Sequence, residues 1–402
     1  MARAAAVIAT MMATAMMATA APKAADHWLT SWATAQQIVE PKNMLAPEEM
    51  RDATLRQVVR LSLGGRAVRL VLSNAFGTAP LHLQAVHLAR ARGADRIDPA
   101  SDKTVASDLT IPAGATWVSD AIALPVAAFA DLAISIHYDT APAVETGHPG
   151  SRQTSYLIAG DHLGDETLAG AKPVEHWYQI AAIEVATTAK GAVAVLGDSI
   201  TDGRGSTTNG NDRWTNVLAE RLKTEAVLNA GLGGNCLLSQ CLGPNAISRI
   251  ERDVLAPAGV TAVIVLEGIN DLGGLTVTAP VPAEDHNRLV QNLIAGYRQI
   301  ALRAHGRGLK AYVGTILPYM GAANYHPDAA NEADRNAINA WIRRQREFDG
   351  VIDFDAAMRD PLATDRLNPV YDSGDHLHPS PAGYRVMGEV AAKALRRAKG
   401  KK

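Results

Sequence analysis

Residues 192–203 read Ala-Val-Ala-Val-Leu-Gly-Asp-Ser-Ile-Thr-Asp-Gly, and this stretch decides the fold of the second half of the chain. Its first five residues are an apolar run typical of a strand buried on both faces, and a polar turn follows at once. Similar runs recur at 226–228, 262–266, 311–316 and 351–354, with amphipathic helical stretches at 214–222, 284–304, 332–346 and 382–398. This alternation predicts a doubly wound α/β domain with a five-stranded parallel sheet over residues 190–402.

Polar motifs stand where these predicted strands end, which is where ligands bind in doubly wound sheets. They read Gly-Asp-Ser-Ile-Thr-Asp-Gly at 197–203, Asn-Ala-Gly-Leu-Gly-Gly-Asn at 229–235, Glu-Gly-Ile-Asn-Asp at 267–271 and, downstream of the last strand, Asp-His-Leu-His-Pro at 375–379. A serine, a glycine-rich loop, an asparagine and an Asp-x-x-His motif can supply a nucleophile, oxyanion donors, a base and its orienting carboxylate. The pattern indicates acyl transfer through a serine.

With these motifs in this order, the region from 192 to 395 resembles the GDSL, or SGNH, hydrolase family. The resemblance implies an SGNH-type, flavodoxin-like sheet and an ester hydrolase without a metal or organic cofactor. It implies that Ser199 is the nucleophile, and that Asp375 and His378 complete the triad. The oxyanion hole would consist of the backbone N–H groups of Ser199 and Gly234 and the side-chain amide of Asn270. The Gly-x-Ser-x-Gly elbow of the α/β-hydrolases is absent, which argues against that other lipase fold.

Each motif also has an ordinary structural interpretation when it is considered alone. A serine can cap a helix, paired glycines can form a turn, and Asn-Asp can close a turn through its own backbone. His376 competes with His378 as the base, and the two histidines together could suggest a metal pair. No third ligand stands at a recognisable spacing, so we expect no metal site. Ser380 and Pro381 predict the start of the last helix.

In the first half of the mature chain, the apolar residues recur with a different period. From 26 to 187 apolar residues alternate with polar ones in short runs broken by glycine and proline, which predicts an all-β sandwich domain. Gly64-Gly65 is predicted to form a two-residue hairpin turn between runs at 59–63 and 68–72. The segment at 73–77, which contains Asn74, could be a recognition loop or a simple turn.

The N-terminal segment is predicted to be a signal peptide spanning residues 1–20. Arg3 precedes an uncharged run, and Ala18-Thr19-Ala20 matches the small-x-small cleavage pattern, so the mature protein should begin at Ala21. The alternative is an ordinary alanine-rich helix. The run is short for a membrane span, and no later segment is apolar enough, so we expect an exported protein, periplasmic or extracellular, without stable membrane insertion.

Export affects how the two cysteines, Cys236 and Cys241, are interpreted. In an oxidising compartment they could form a local disulfide. Free thiols and a metal pair are the alternatives, although no histidine or second cysteine pair lies nearby at zinc-like spacing.

Composition narrows the possible partners. The 402 residues carry 39 Lys and Arg against 41 Asp and Glu, so no global basic field exists to attract nucleic acid. The basic residues at 396, 397, 399, 401 and 402 are interpreted as a solvated helix end. The oligomeric state is not predicted.

The substrate is predicted less directly. An all-β domain beside an SGNH hydrolase is similar to arrangements among carbohydrate-active acetylesterases, which implies short acyl esters of a small molecule or polysaccharide. The alternatives are a lipase or lysophospholipase-like esterase, an acyltransferase that uses the same triad, and a carbohydrate-binding module on an inactive hydrolase. Four tryptophans could stack on sugars or simply fill the core, namely Trp28, Trp32, Trp117 and Trp177.

Overall fold

The computed structural model describes residues 26–399. The predicted signal peptide and the last residues of the basic tail lie outside this range. Within it, antiparallel sheets occupy the first half of the chain and one parallel sheet occupies the second half. The fold class predicted from the sequence is therefore confirmed, whereas the exact boundaries of the domains stay a prediction.

Thirteen strands lie within residues 26–187, and short runs of alternating apolar residues form most of them. They are β1 (His27–Ala33), β2 (Gln37–Ile38), β3 (Ala53–Arg60), β4 (Val68–Ser73), β5 (Leu81–Arg90), β6 (Lys103–Ile111), β7 (Thr116–Val118), β8 (Asp131–Tyr138), β9 (Thr146–His148), β10 (Ser155–Ala159), β11 (Lys172–Val174), β12 (Trp177–Tyr178) and β13 (Ile180–Thr187).

These strands form three antiparallel sheets. The largest has the order β11-β10-β3-β8-β5-β6, the second β1-β13-β4-β7, and the smallest β12-β9-β2. The two larger sheets enclose an apolar core that includes Val59, Leu70, Ile134 and Ile183, each fully buried. Burying such side chains between two sheets is what stabilises a sandwich.

The hairpin predicted at Gly64-Gly65 is wrong. Strand β3 pairs with β8 and β10, whereas β4 pairs with β13 and β7, so the two strands belong to different sheets. Gly65 instead exchanges backbone hydrogen bonds with Val126, at 3.0 and 2.9 Å. A Cβ atom on Gly64 would lie 2.5 Å from the Val126 carbonyl oxygen. The glycines allow close approach of a chain that crosses between sheets, a role that local sequence does not distinguish from a turn.

In the loop at 73–77, Asn74 serves the fold rather than recognition. Asn74 is almost fully buried, and its Nδ2 donates to the carbonyl oxygens of Ala79, Ile111 and Pro112 at 2.9, 3.1 and 3.2 Å. A side chain that satisfies three backbone acceptors inside the protein is not available to a polymer at the surface. The turn interpretation is the one that fits.

Five parallel strands form the C-terminal sheet, in the order β15-β14-β16-β17-β18. They are β14 (Ala192–Gly197), β15 (Ala226–Gly231), β16 (Val260–Leu266), β17 (Lys310–Gly314) and β18 (Gly350–Ile352). The helices are α1 (Ser199–Asp202), α2 (Trp214–Leu222), α3 (Ala246–Ile250), α4 (Ile269–Thr276), α5 (Ala283–Gly306), α6 (Ala329–Arg344), α7 (Phe354–Met358) and α8 (Pro381–Lys399). A π-helical turn at 251–255 extends α3.

The four long helices lie where the sequence predicts them. The last strand ends earlier than predicted, because Asp353 accepts a hydrogen bond from the Ala356 N–H and caps α7. Helices α2 and α8 pack together, and α5 packs against α6 and β17. Within residues 26–399 no helix combines the length and the apolar character that crossing a bilayer requires.

The two halves are joined along β1 and β15. Thr34 and Asn229 form a parallel bridge, and the Val227 N–H donates to the Ser62 hydroxyl at 3.1 Å. The Thr30 N–H donates to the carbonyl oxygen of Ala258 at 2.9 Å. The small three-stranded sheet lies near the carboxyl end of the parallel sheet, because His148 of β9 contacts Asp202 at the end of α1.

Candidate active site

Ser199 begins helix α1 directly after β14, at the edge where the parallel strands end. The side chain of Asp198 caps the helix by accepting the Ile200 N–H at 2.8 Å. Gly203 closes the helix with a φ of 105°, a left-handed conformation that favours glycine. This tight strand-to-helix turn holds the Ser199 hydroxyl towards a cleft.

His378 lies opposite this serine. Its Nε2 is 2.8 Å from Ser199 Oγ, and its Nδ1 is 2.6 Å from Asp375 Oδ2. Because a carboxylate only accepts, the Nδ1 proton points to Asp375, and Nε2 is left to accept the serine proton. Burial raises the pKa of Asp375, but hydrogen bonds from the ring and backbone N–H of His378 outweigh it and hold the pKa well below its usual range.

The start of α8 fixes the loop that carries this histidine. Ser380 Oγ accepts the Gly383 N–H at 3.4 Å, and the Tyr384 hydroxyl donates to the Arg204 carbonyl oxygen at 2.5 Å. The predicted cap at Ser380 and Pro381 therefore has its counterpart in the structure.

His376 takes no part in the contact with Ser199. Its Nδ1 lies 2.7 Å from Asp372 Oδ2, and more than half of its side chain is exposed. Among residues 26–399 no three His, Cys, Asp or Glu side chains are placed to share a metal ion. The structure thus brings His378, and not its neighbour, to the serine.

Gly234 and Asn270 line the same cleft as Ser199 and His378. Asn270 Nδ2 donates one hydrogen to the Asn235 carbonyl oxygen at 2.6 Å, which leaves its second N–H for the cleft. Its Oδ1 accepts the hydroxyl of Tyr325 at 2.5 Å, so the orientation of the amide is defined. Gly234 has a φ of 68°, and a Cβ atom there would meet Leu242.

Two kinds of contact, a disulfide and hydrogen bonds to a carboxylate, hold the loop after Gly234 in place. Cys236 and Cys241 form a disulfide. The backbone N–H groups of Leu237 and Leu238 donate to the carboxylate of Asp271 at 2.8 and 3.1 Å. Burial raises the pKa of Asp271 to about 6, against these hydrogen bonds. Asp271 is the neighbour of Asn270, so the two sides of the candidate oxyanion hole are tied together.

Arg249 was not predicted from the sequence, although it organises this edge of the sheet. Its fully buried guanidinium donates to the carbonyl oxygens of Gly197 and Ala230, at 2.9 and 2.7 Å, and to Oδ1 of Asn235 at 2.9 Å. Its ion-pair partners are Asp253, at 3.1 Å, and Glu267, at 3.3 Å. Arg249 thereby joins the ends of two strands to the glycine-rich loop. A single arginine on a short helix gives no sequence signal for such a role.

The N-terminal half reaches the nucleophile helix through His148. Its Nδ1 donates to the Ala35 carbonyl oxygen at 2.7 Å, and its Nε2 lies 2.8 Å from Asp202 Oδ1. Both side chains of this pair are almost completely buried. Gly150 stands two residues after His148 in the sequence, and any Cβ on it would overlap the Asp202 carboxylate. The loop after β9 is therefore packed on the helix that begins at Ser199.

The cleft consequently has walls from both halves of the chain and a volume of about 370 Å³. The N-terminal half contributes polar side chains above all, among them Gln37, Glu40, Lys42, Asn43, Arg152 and His176. Trp32 and Trp177, considered from the sequence as sugar-stacking residues, are instead buried against each other, with ring centroids 5.0 Å apart.

Comparison with known proteins gives one family and a set of solved structures. The model of the GDSL-like Lipase/Acylhydrolase family matches residues 195–386. No curated protein matches the chain. A GDSL-like lipase from Bacteroides thetaiotaomicron is 18% identical, with 52% of this chain and 89% of that chain covered and a TM-score of 0.38. A carbohydrate acetylesterase from Sinorhizobium meliloti is 18% identical, with 52% and 99% covered and a TM-score of 0.37.

The matched region begins in β14 and ends in α8, so it contains the parallel sheet, Ser199, Asn270 and the loop with Asp375 and His378. The family predicted by resemblance is confirmed by this match. Residues 195–386 form a GDSL-like lipase/acylhydrolase domain, and this domain is that of a carboxylic ester hydrolase of the GDSL family.

Proposed function

We propose that the protein is an exported serine esterase that removes acetyl or other short acyl groups from carbohydrates. One observation carries the chemistry: Ser199 Oγ, both ring nitrogens of His378 and the Asp375 carboxylate form a continuous hydrogen-bonded line, with distances of 2.8 and 2.6 Å. A serine that faces an oriented imidazole is an activated nucleophile.

In the first half of the reaction, His378 takes the proton of Ser199 as the hydroxyl oxygen attacks the ester carbonyl. Asp375 keeps the Nδ1 proton of the ring in place and stabilises the imidazolium that forms. The oxyanion is received by the N–H groups of Ser199 and Gly234 and by the free N–H of Asn270. The tetrahedral intermediate collapses, the ester C–O bond breaks, and His378 gives its proton to the leaving alcohol.

In the second half, a water molecule gives a proton to His378 and attacks the acyl-serine. The same donors hold the second oxyanion, and Ser199 recovers its proton as the acid leaves. Apart from the proton that the water molecule brings, the chain's own residues transfer every proton and donate the hydrogen bonds to each oxyanion.

The character of the cleft supports a short acyl group and a polar alcohol. Its lining is mostly charged, amide and backbone groups, and the apolar side chains on it are few: Leu242, Leu377 and the ring of Tyr325, with Pro149 beside them. A long acyl chain gains its affinity from apolar area removed from water. Such area is scarce here, so the lipase or lysophospholipase alternative is the less favoured one.

Export belongs to the proposal and rests on the predicted signal peptide at residues 1–20. The disulfide between Cys236 and Cys241 supports it, because structural disulfides persist in oxidising compartments.

The test is a series of para-nitrophenyl esters from acetate to palmitate, run beside acetylated xylan and a lysophospholipid. We expect kcat/KM to be highest for the shortest acyl groups, acetic acid to be released from the xylan, and Ser199→Ala to be inactive on all substrates. Added sugar alcohols should leave acid as the main product, since acyl transfer would instead give new esters. A maximum at long chains, or turnover of the lysophospholipid alone, would contradict the proposed substrate class.

A further inference from the structure

Three cationic side chains line the cleft around Ser199, and none of them has a carboxylate partner within residues 26–399. Lys42 and Arg152 come from the N-terminal half, and Arg204 follows helix α1. Lys42 and Arg204 are exposed, and Arg152 is half-buried. Most other arginines of the described chain bind carboxylates or carbonyl oxygens, so three unpaired cations at one cleft are a distinctive feature.

Arg152 is the best defined of the three. Its Nε is buried and has no hydrogen-bond partner among the described residues. The backbone around it is fixed, because its carbonyl oxygen accepts the Asn209 N–H at 2.9 Å and the neighbouring Ser151 hydroxyl donates to the Gln153 carbonyl oxygen at 2.7 Å. A buried N–H donor without an acceptor is costly, and an anionic ligand in the cleft can supply that acceptor.

The charges around Arg152 do not neutralise it. Arg213 is a second cation nearby, buried, and it donates to the backbone carbonyl oxygens of Ser151 and Asp202. Two carboxylates line the cleft. Asp202 has Oδ1 on His148, whereas its buried Oδ2 has no hydrogen-bond partner among the described residues, and Glu40 accepts the side-chain amide of Asn43 at 2.9 Å. The three cations of the lining, together with the nearby Arg213, outnumber these two carboxylates, so positive charge is in excess at the cleft.

The position of Arg204 indicates which part of an ester would meet these cations. Its carbonyl oxygen accepts the hydroxyl of Tyr384, at the start of α8, and the adjacent Gly205 lies against the Pro379 carbonyl oxygen. Arg204 is thus on the side of His378, the residue that protonates the leaving alcohol in the mechanism proposed above.

We propose that the alcohol part of the natural ester carries an anionic group, a carboxylate or another oxyanion, which Arg152, Arg204 and Lys42 bind. This inference rests on the proposed esterase function and adds the charge of the substrate to it. A guanidinium offers paired N–H donors that fit a carboxylate or phosphate, and such charge-assisted hydrogen bonds are stronger than neutral ones. An acidic sugar ester matches the polar lining as well as this charge.

The experiment compares esters that differ in charge alone. The first pair is para-acetoxyphenylacetate and its amide, para-acetoxyphenylacetamide, in which the aromatic ring and a methylene group separate the carboxylate or amide from the leaving oxygen. A para-acetoxybenzylphosphonate arm tests a phosphorus oxyanion on the alcohol. An acyl-side arm compares the para-nitrophenyl monoester of succinate with para-nitrophenyl butyrate.

We expect the anionic alcohol esters to be preferred over the neutral amide in kcat/KM by about 10-fold or more, the usual effect of a hydrogen bond to a charged group. Arg152→Gln and Arg204→Gln should each reduce this preference several-fold, and raised salt should reduce it as well. Arg51→Gln, an exposed arginine in the turn before β3, is the matched control and should keep the wild-type preference. The carboxylate and phosphonate arms then report which oxyanion fits better.

The inference is overturned if the neutral amide is hydrolysed as well as the anionic esters, if the preference occurs only on the acyl side, or if Arg152→Gln and Arg204→Gln leave the preference intact. Those results are distinct from a failure of the proposed function, which would appear as undiminished hydrolysis of the neutral ester by Ser199→Ala.

Discussion

The hydroxyl of Tyr325 lies 2.5 Å from Oδ1 of Asn270 and donates a hydrogen bond to it. Since the amide nitrogen of Asn270 donates to the Asn235 carbonyl oxygen at 2.6 Å, the side chain is held at both ends. Burial raises the pKa of Tyr325 to about 12, so the phenol keeps its proton throughout the working range of an esterase. Tyr325 is therefore a positioning residue for the candidate oxyanion hole.

Tyr325→Phe removes this hydrogen bond and keeps the ring. We expect kcat on para-nitrophenyl acetate to fall by about 10-fold, with KM nearly unchanged, because the oriented donor acts on the transition state. Steady-state kinetics measures both constants. Tyr312→Phe, on strand β17, is the matched control and should keep the wild-type kcat. A raised KM with an unchanged kcat would mean that Tyr325 binds substrate and does not position Asn270.

Replacing the proposed catalytic residues should reduce turnover to different extents. Ser199→Ala and His378→Ala should reduce turnover to near background, since they remove the nucleophile and the base. Asp375→Asn should cost up to roughly 10,000-fold near neutral pH, because it favours the wrong tautomer of the imidazole. Asn270→Ala should cost about 100- to 1000-fold, as is typical for one oxyanion donor.

His376→Ala is the internal control for this series and should have a mild effect, because His376 contacts Asp372 and not Ser199. Measurement of kcat/KM for para-nitrophenyl acetate gives the order. Loss of turnover in His376→Ala with activity retained in His378→Ala would show that the wrong histidine has been assigned.

The disulfide should matter more for turnover than for stability. Closing so small a ring removes little chain entropy, roughly 2 kcal/mol at most. The ring nevertheless leads directly into Leu242, whose N–H donates to the Gly234 carbonyl oxygen at 3.2 Å. We expect Cys236→Ser to lower kcat on short esters while the unfolding midpoint changes little.

Parallel measurement of kcat and of thermal unfolding tests this expectation, with Cys241→Ser as the second variant that opens the same ring. Two alkylatable thiols in the native protein, or a wild-type kcat in both variants, would contradict it.

The buried Asp198 should make stability depend on pH. Burial raises its pKa to about 7 from an ordinary value of 3.8, although the Ile200 N–H opposes the shift. The folded protein then binds the proton more tightly than the unfolded chain does. The contribution of Asp198 to the free energy of unfolding is most favourable below pH 3.8, and it is lost as the pH rises through 7.

Asp198→Asn keeps an oxygen that can cap α1 and removes the titration. We expect the stability of this variant relative to wild type to increase as the pH is raised from 4 to 8, measured by urea unfolding at each pH. Parallel stability curves for the two proteins would mean that Asp198 does not hold its proton in the folded state.

Features that depend on local periodicity were predictable from the sequence. The five buried runs and the four long helices have distinct periods, and the carboxyl ends of parallel strands necessarily share an edge, so Ser199, Gly234 and Asn270 could be grouped in advance. Asp375 and His378 are three residues apart, and their contact is local. The short helices α3 and α4 were missed because one or two turns are too few to show a period.

Features that depend on distant contacts could not be predicted. Gly64-Gly65 has the composition of a turn, yet its role depends on backbone from 126 and beyond. Arg249, Tyr325 and the His148–Asp202 pair act between elements that are far apart in the sequence. Nothing in their neighbouring residues indicates these partners.

Labelling with a fluorophosphonate, which forms a stable bond to an activated serine, tests whether Ser199 carries the acyl group. Peptide mass spectrometry of the inactivated protein locates the label. We expect one phosphonyl group per chain, on the peptide that contains Ser199, with activity lost in proportion to labelling. Full activity in the fully labelled protein, or inactivation with the label on another residue, would contradict it.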